Sequence, residues 1–249
     1  SPTGATGRFP TLETRMEDLR AVLDAADSQR KAVLAAHEGC AMASLFAASY
    51  PERVSALALF QPSANGAPDL PGAATAVGEE RDRILSELSE LRDRWGTQEF
   101  CDELLDQIAP SLAADEAERL WFANWLRVGA SPAAAYALNR MYVETDLRQI
   151  LPAVRVPTLL MFRGTDGATA VKEVAARIGG ARLVGLRGED HWPICLNDDA
   201  ADEVERFLAG ASETDDADRV LSTLLFTDLV NSTARMAAIG DSAWRDLLG

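Results

Sequence analysis

Residues 31–61 read KAVLAAHEGCAMASLFAASYPERVSALALFQ, and this stretch decides the fold. Five apolar residues, 32–36, run straight into His37-Glu38-Gly39. A helix-forming run then carries the chain to Tyr50-Pro51, and a second apolar run covers residues 54–60. Strand, sharp turn, helix, strand is the order this predicts. Both strands are short and apolar enough to be buried on two faces of a parallel sheet. A turn of this kind places its central residue at the carboxyl edge of the sheet, where open α/β folds bind ligands and do chemistry.

The stretch resembles the nucleophile elbow of the α/β-hydrolases, whose pattern is Gly-x-Ser-x-Gly between a strand and a helix. Counted back from Tyr50-Pro51-Glu52-Arg53-Val54, the elbow positions fall on Ala35, Ala36, His37, Glu38 and Gly39. Histidine stands where the family has its serine. The resemblance implies an α/β-hydrolase fold, a parallel sheet with flanking helices and a helical cap. It also implies Glu38 as the residue whose amide serves the oxyanion.

The rest of the chain extends the pattern on both sides. Residues 1–10 read as a loop, and Ser1 matches the last residue of a family motif, so the earlier strands are expected to lie outside this N-terminally truncated domain. Leu12, Met16, Leu19, Leu23 and Ala26 recur at helical spacing after Thr11 and predict an amphipathic helix over 11–26. After a Pro, Gly and Ala loop at 62–76, apolar positions 84, 85, 88, 91 and 95 open a helical block. Further helices are predicted at 100–108, 114–128 and 132–143. The resemblance makes this block, about 63–150, the cap. Trp121, Phe122 and Trp125 are placed to line an apolar pocket or, more simply, to pack between cap helices.

The sheet resumes at 156–162, followed by a turn at 163–167, a helix near 170–178, a strand at 182–186, a loop at 188–193 and a closing helix at 200–208. This order is similar to the last third of an α/β-hydrolase, with Asp166 at the triad acid and His191 at the triad base. The hydrolase-like domain is thus expected over 1–208. Residues 209–217, AGASETDDA, read as a linker.

Beyond it, LLFTDLVNST followed by GDSAWRDLL resembles the opening of a class III nucleotidyl cyclase domain, spanning 218–249 as its first strand and helix. The resemblance implies that Asp228 and the Leu229 backbone hold a divalent ion, Mg2+ or Mn2+, in a parent protein that makes cyclic AMP from ATP as a homodimer through its cyclase domains. The residues completing such a site would lie past Gly249.

Charge and cysteine content narrow the classes. With 24 Lys and Arg against 39 Asp and Glu, the net charge of -15 argues against a nucleic-acid partner, which needs a concentrated basic surface. No run approaches the ~18 apolar residues of a membrane helix. Cys40, Cys101 and Cys195 are odd in number, far apart and without metal-ligand spacing, and read as reduced thiols of a cytoplasmic protein.

A triad needs a nucleophile, a base and an acid that orients the base. Losing the serine costs on the order of a millionfold in turnover. Ser44, seven residues on, lies about two helical turns away and is no substitute. The preferred reading of His37 is a non-catalytic residue on a polar pocket floor, with Asp166 and His191 as relict triad members. Asp166 as an ordinary turn residue, and a metal held by the two histidines and Asp166, remain as alternatives. The expected function is a regulatory or ligand-sensing module that binds a small apolar or acyl ligand, with no cofactor of its own. The alternative is an active esterase-like hydrolase on small acyl substrates.

Overall fold

The computed structural model describes residues 11–65, 79–192 and 198–213, of which 79–82, 84, 85, 87, 165–167, 198, 212 and 213 are described by backbone alone. The chain divides into two units between Thr214 and Asp215, and every described residue belongs to the first.

Four parallel strands, β1 Lys31–Ala36, β2 Val54–Phe60, β3 Thr158–Phe162 and β4 Arg182–Gly185, lie side by side in sequence order. Their carboxyl ends are level: Ala36 pairs with Phe60, Phe60 with Met161, and Met161 with Val184. Alternation of side chains across the pleat splits the apolar strands between two cores. Leu57, Leu59 and Leu160 face α1 Leu12–Ala25, α2 Gly39–Ser49 and the helix after β3, with Phe46, Val171 and Val174. Ala56, Ala58, Phe60, Leu159 and Met161 face the closing helix and its Phe207. Each fully buried Leu or Phe in these layers stabilises by about 2 kcal/mol. β2 and β3 are nearly all buried, whereas β1 alternates and leaves Leu34 54% exposed.

Between β2 and β3 the described residues form a cap with four helices, α3 Glu79–Arg94, α4 Gln98–Ile108, α5 Glu116–Gly129 and α6 Pro132–Glu144. The side chains of Thr97, Asp115 and Ser131 accept from the amides of Phe100, Ala117 and Ala134, as Thr11 does from Thr14 in α1. Each such cap contributes about 1 kcal/mol. The cap core, Cys101, Leu105, Phe122, Ala123 and Leu126, is completed by Trp192, which comes from the loop after β4.

Strands and helices fall where the sequence places them, with two corrections. The predicted turn at 163–167 is shorter, and α7 runs Thr165–Ala175 instead of 170–178. Gly164, at φ +68°, makes the reversal alone, a conformation only glycine adopts cheaply. Gly167, taken as a turn signal, is inside the helix, where it costs roughly 1 kcal/mol. The expected linker also starts too early. Helix α8 continues over Asp198–Glu213, because Ala211 still packs on the apolar layer around Phe207. Residues 214–217 and the cyclase-like 218–249 lie outside the described residues, as do Ser1 and Cys195. Cys40 and Cys101 are buried free thiols.

Candidate functional site

The site forms where β1 turns into α2. Ala36 ends the strand, Gly39 begins the helix, and the two residues between them make the whole reversal. His37 takes φ +49°, a left-handed conformation that costs of order 1–3 kcal/mol for a side chain of this size. Hydrogen bonds on both sides enforce it: His37 N–H donates to Phe60 O at 2.9 Å, and Cys40 N–H donates to His37 O at 2.9 Å. The elbow geometry is therefore present without its serine. Ser44, one possible rescuer by residue type, is buried inside α2.

The His37 side chain is buried, 8% exposed. Its ring meets the edge of Phe60, centroids 6.0 Å apart at 84°, and lies 5.6 Å from the His191 ring. Nε2 makes a short contact with the backbone carbonyl of His191. A carbonyl only accepts, so Nε2 carries the hydrogen. The lone pair that would attack an acyl carbon is not on the nitrogen nearest the base loop. His191 thus meets the elbow with its backbone, and the two rings are tilted by 45°.

Glu38 is the N-cap of α2, with helical φ and ψ and an exposed side chain. Its amide is among the first N–H groups of the helix, which have no partner within it, and it is the position expected to serve an oxyanion. Its carboxylate, however, puts negative charge at the same helix end. Cys40, two residues on, feels it: burial first, and Glu38 second, push the thiol well above its usual range. Asp166 lies in the first turn of α7 at the same sheet edge; its side chain is outside the described residues, and so are Asp228 and Leu229. Among the described residues no group of three or more His, Cys, Asp or Glu side chains could hold a metal, and no helix is long and apolar enough to cross a membrane.

Trp121 and Trp125 are half-exposed, 43% and 47%, while Phe122 between them is buried. All three surround Trp192, at centroid distances of 5.7, 5.2 and 4.9 Å. They pack the cap onto the residue next to His191, which combines the two roles the sequence left open: α5 contributes core through Phe122 and an accessible aromatic wall through the two tryptophans.

Several residues of the site were not singled out from the sequence. Arg163, just after β3, is 3% exposed; its Nη1 donates to Asp190 O at 3.1 Å and its Nη2 pairs with Asp199 of α8 at 2.8 Å. Its guanidinium also lies 5.9 Å from the Phe60 ring. Asp190 accepts from Ser111 N–H at 2.9 Å and from the Ser111 hydroxyl. Gln61, left-handed at φ +53° beside the elbow, donates from Nε2 to Arg163 O at 3.1 Å. The signal was available in Gln61-Pro62-Ser63-Ala64-Asn65, where polar residues follow an apolar strand at a ligand-binding edge, and Gln61, Ser63 and Asn65 are indeed all buried.

The described architecture settles the fold. It is the α/β-hydrolase fold. Solved structures with the same architecture include a hydrolase from Pseudomonas aeruginosa, 22% identical over 84% of this chain and 76% of that one with a TM-score of 0.61. A carboxylesterase from the thaumarchaeon Nitrososphaera is 20% identical over 85% and 76%, with a TM-score of 0.65. A bromoperoxidase from Bacillus anthracis is 18% identical over 86% and 78%, with a TM-score of 0.61. No protein-family model matches the chain, and no curated protein matches it. At these identities the likeness carries the fold and leaves the chemistry to the residues.

Proposed function

We propose that residues 11–213 are a ligand-binding module of α/β-hydrolase fold without a hydroxyl nucleophile, taking a small apolar or acyl ligand between cap and sheet edge. The observation that carries this reading is the His37 contact: the elbow residue spends its Nε2 hydrogen on the His191 carbonyl, where a hydrolase would hold a hydroxyl against an imidazole. The exposed faces of Trp121 and Trp125 supply apolar contact area at low entropic cost. We further propose that the module regulates a nucleotidyl cyclase begun at residues 218–249, making cyclic AMP as a homodimer with Mg2+ or Mn2+ held in part by Asp228. That extension rests on the LLFTDLVNST resemblance alone.

A second reading, an active esterase-like hydrolase, is favoured by a different observation: solved structures sharing the fold include ones described as a hydrolase, carboxylesterases and a bromoperoxidase. In that reading the attacking atom would be His37 Nδ1, since Nε2 is protonated. Hydrolysis of a short-chain nitrophenyl ester by the wild-type chain, beside His37→Ala and His191→Ala, separates the two. Equal background turnover in all three supports the binding module. Turnover abolished by either substitution refutes it and establishes the hydrolase.

A further inference from the structure

One peptide group joins the cap to the elbow. The C=O of His191 and the N–H of Trp192 belong to the same planar unit and point in opposite directions. The carbonyl accepts from His37 Nε2, and the N–H donates to Ile108 O, at the end of α4, at 3.0 Å. The preceding N–H, that of His191, donates to the same Ile108 oxygen at 2.9 Å. A planar peptide cannot rotate one end without the other, so the Ile108 bond and the His37 contact restrain the same unit, and a cap displacement that carries Ile108 away removes one of the restraints that hold the His191 carbonyl on the imidazole.

The unit is held in this orientation from the residue before it. Asp190 clasps the cap through both the backbone N–H and the hydroxyl of Ser111, which lies in the turn after α4. On the sheet side its carbonyl is held by the buried Arg163 guanidinium, itself anchored to Asp199. Asp190 thus bonds the loop after β4 to the cap through Ser111 and to Arg163, and Arg163 in turn reaches α8.

We infer that Asp190 is the positioning residue of the site, and that the seating of the cap decides whether the His37 imidazole donates internally or to a ligand. With the cap seated, the 191–192 peptide captures Nε2–H. With the cap displaced, that N–H becomes a donor at the sheet edge and selects ligands with a carbonyl or other acceptor beside an apolar chain. The inference rests on the ligand-binding reading above and deepens it by naming the polar contact that a ligand would replace.

The chain has only two histidines, both at the site, so their ring nitrogens are resolved by long-range 15N–1H NMR on the full chain without further labelling. In ligand-free Asp190→Ala the His37 Nε2 signal is expected to leave its hydrogen-bonded position, and the Nε2–H to exchange with solvent about tenfold faster, the ratio for one lost bond to a charged group. Asp190→Asn, which keeps an acceptor for Ser111 N–H, restores most of the wild-type spectrum, and Ser89→Ala, on the exposed face of α3, leaves it unchanged. Should Asp190→Ala not fold, Ser111→Ala is read instead, with a smaller change in the same direction. An unchanged His37 signal in folded Asp190→Ala or Ser111→Ala overturns the inference. Titration of wild type with 2-heptanone, an acceptor on an apolar chain, tests the ligand: a shifted Nε2–H in competition with the His191 bond supports the contact. Binding that leaves Nε2 untouched overturns the contact but not the ligand-binding reading, and absence of binding counts against both.

Discussion

Replacing Asp199 by Ala tests whether the base loop is held from below by a buried charge. Arg163 has a side chain only 2% exposed, and its ion pair with Asp199, itself 34% exposed, supplies the opposite charge. Removing one partner of a fully buried pair costs about 3–5 kcal/mol, because the other charge is stranded. Two features reduce that here. Asp199 is partly solvated, and the guanidinium keeps its bond to Asp190 O and its place over the Phe60 ring. A loss of about 2 kcal/mol is therefore expected, which for a domain of this size lowers Tm by roughly 4–8 °C. Urea unfolding followed by tryptophan fluorescence reports it as a lower midpoint at unchanged slope. The control is Arg182→Ala, whose pair with Glu203 has an arginine 48% exposed and is worth less than about 1 kcal/mol. If Asp199→Ala costs no more than Arg182→Ala, the guanidinium is not desolvated and the anchoring of the loop through Asp190 is wrong.

Other outcomes follow from burial and backbone geometry. Cys40, with its thiol pushed up by burial and by Glu38, is expected to resist iodoacetamide at pH 8 in the folded chain and to react once urea unfolds it, as read by peptide mass mapping; prompt labelling of Cys40 in native protein contradicts the packing behind the elbow. Gly164→Ala puts a Cβ 2.9 Å from Glu189 Oε2 at φ +68°, so a loss of about 1–2 kcal/mol is expected in the same urea assay; a neutral result means the reversal before α7 is looser than described. Phe122→Ala, removing a ring 1% exposed that meets Trp192 edge-on at 4.9 Å, is expected to cost about 3–5 kcal/mol and to red-shift Trp192 emission; full stability would dissociate the cap core from the base loop.

The fold was legible because its signals are local. Apolar runs at 32–36 and 54–60, and again before residue 163, leave little choice but buried parallel strands, and Thr11 marks the first helix start by side-chain chemistry; the caps at Thr97, Asp115 and Ser131 offer the same signal, which the helix expectations did not use. The misread boundaries are cases where tertiary contact outweighs local preference. AGASE looks like a linker by composition, yet Ala211 finds an apolar surface and the helix continues. The site was legible only in outline. Position 37 could be placed at the elbow by counting, but that its imidazole would meet the carbonyl of residue 191 as well as lie beside its ring is a tertiary contact across 154 residues that no local signal carries. Arg163 could not be found either, since one arginine among many carries no sign of being buried.

Two features at the elbow differ from the serine-bearing pattern of acyl transfer. Acyl transfer needs a lone pair at position 37 and positive potential where the oxyanion forms. Here the atom nearest the base loop is an N–H, and the helix end that would stabilise an anion carries the Glu38 carboxylate, whose field reaches Cys40. On the ligand-binding reading proposed above, both features favour a site that offers a hydrogen-bond donor from Nε2 and places negative charge beside the helix end, while Nδ1 keeps its lone pair. The left-handed backbone at His37 is nevertheless retained at its energetic cost, and strain is kept only where surrounding structure imposes it. What imposes it is the pairing of His37 N–H with Phe60 O and the start of α2 immediately after. The elbow backbone therefore holds the residue at position 37 at the carboxyl edge of the sheet whatever its side chain, and the neutral, acceptor-bearing ligand proposed above is the partner that an Nε2–H donor there would fit.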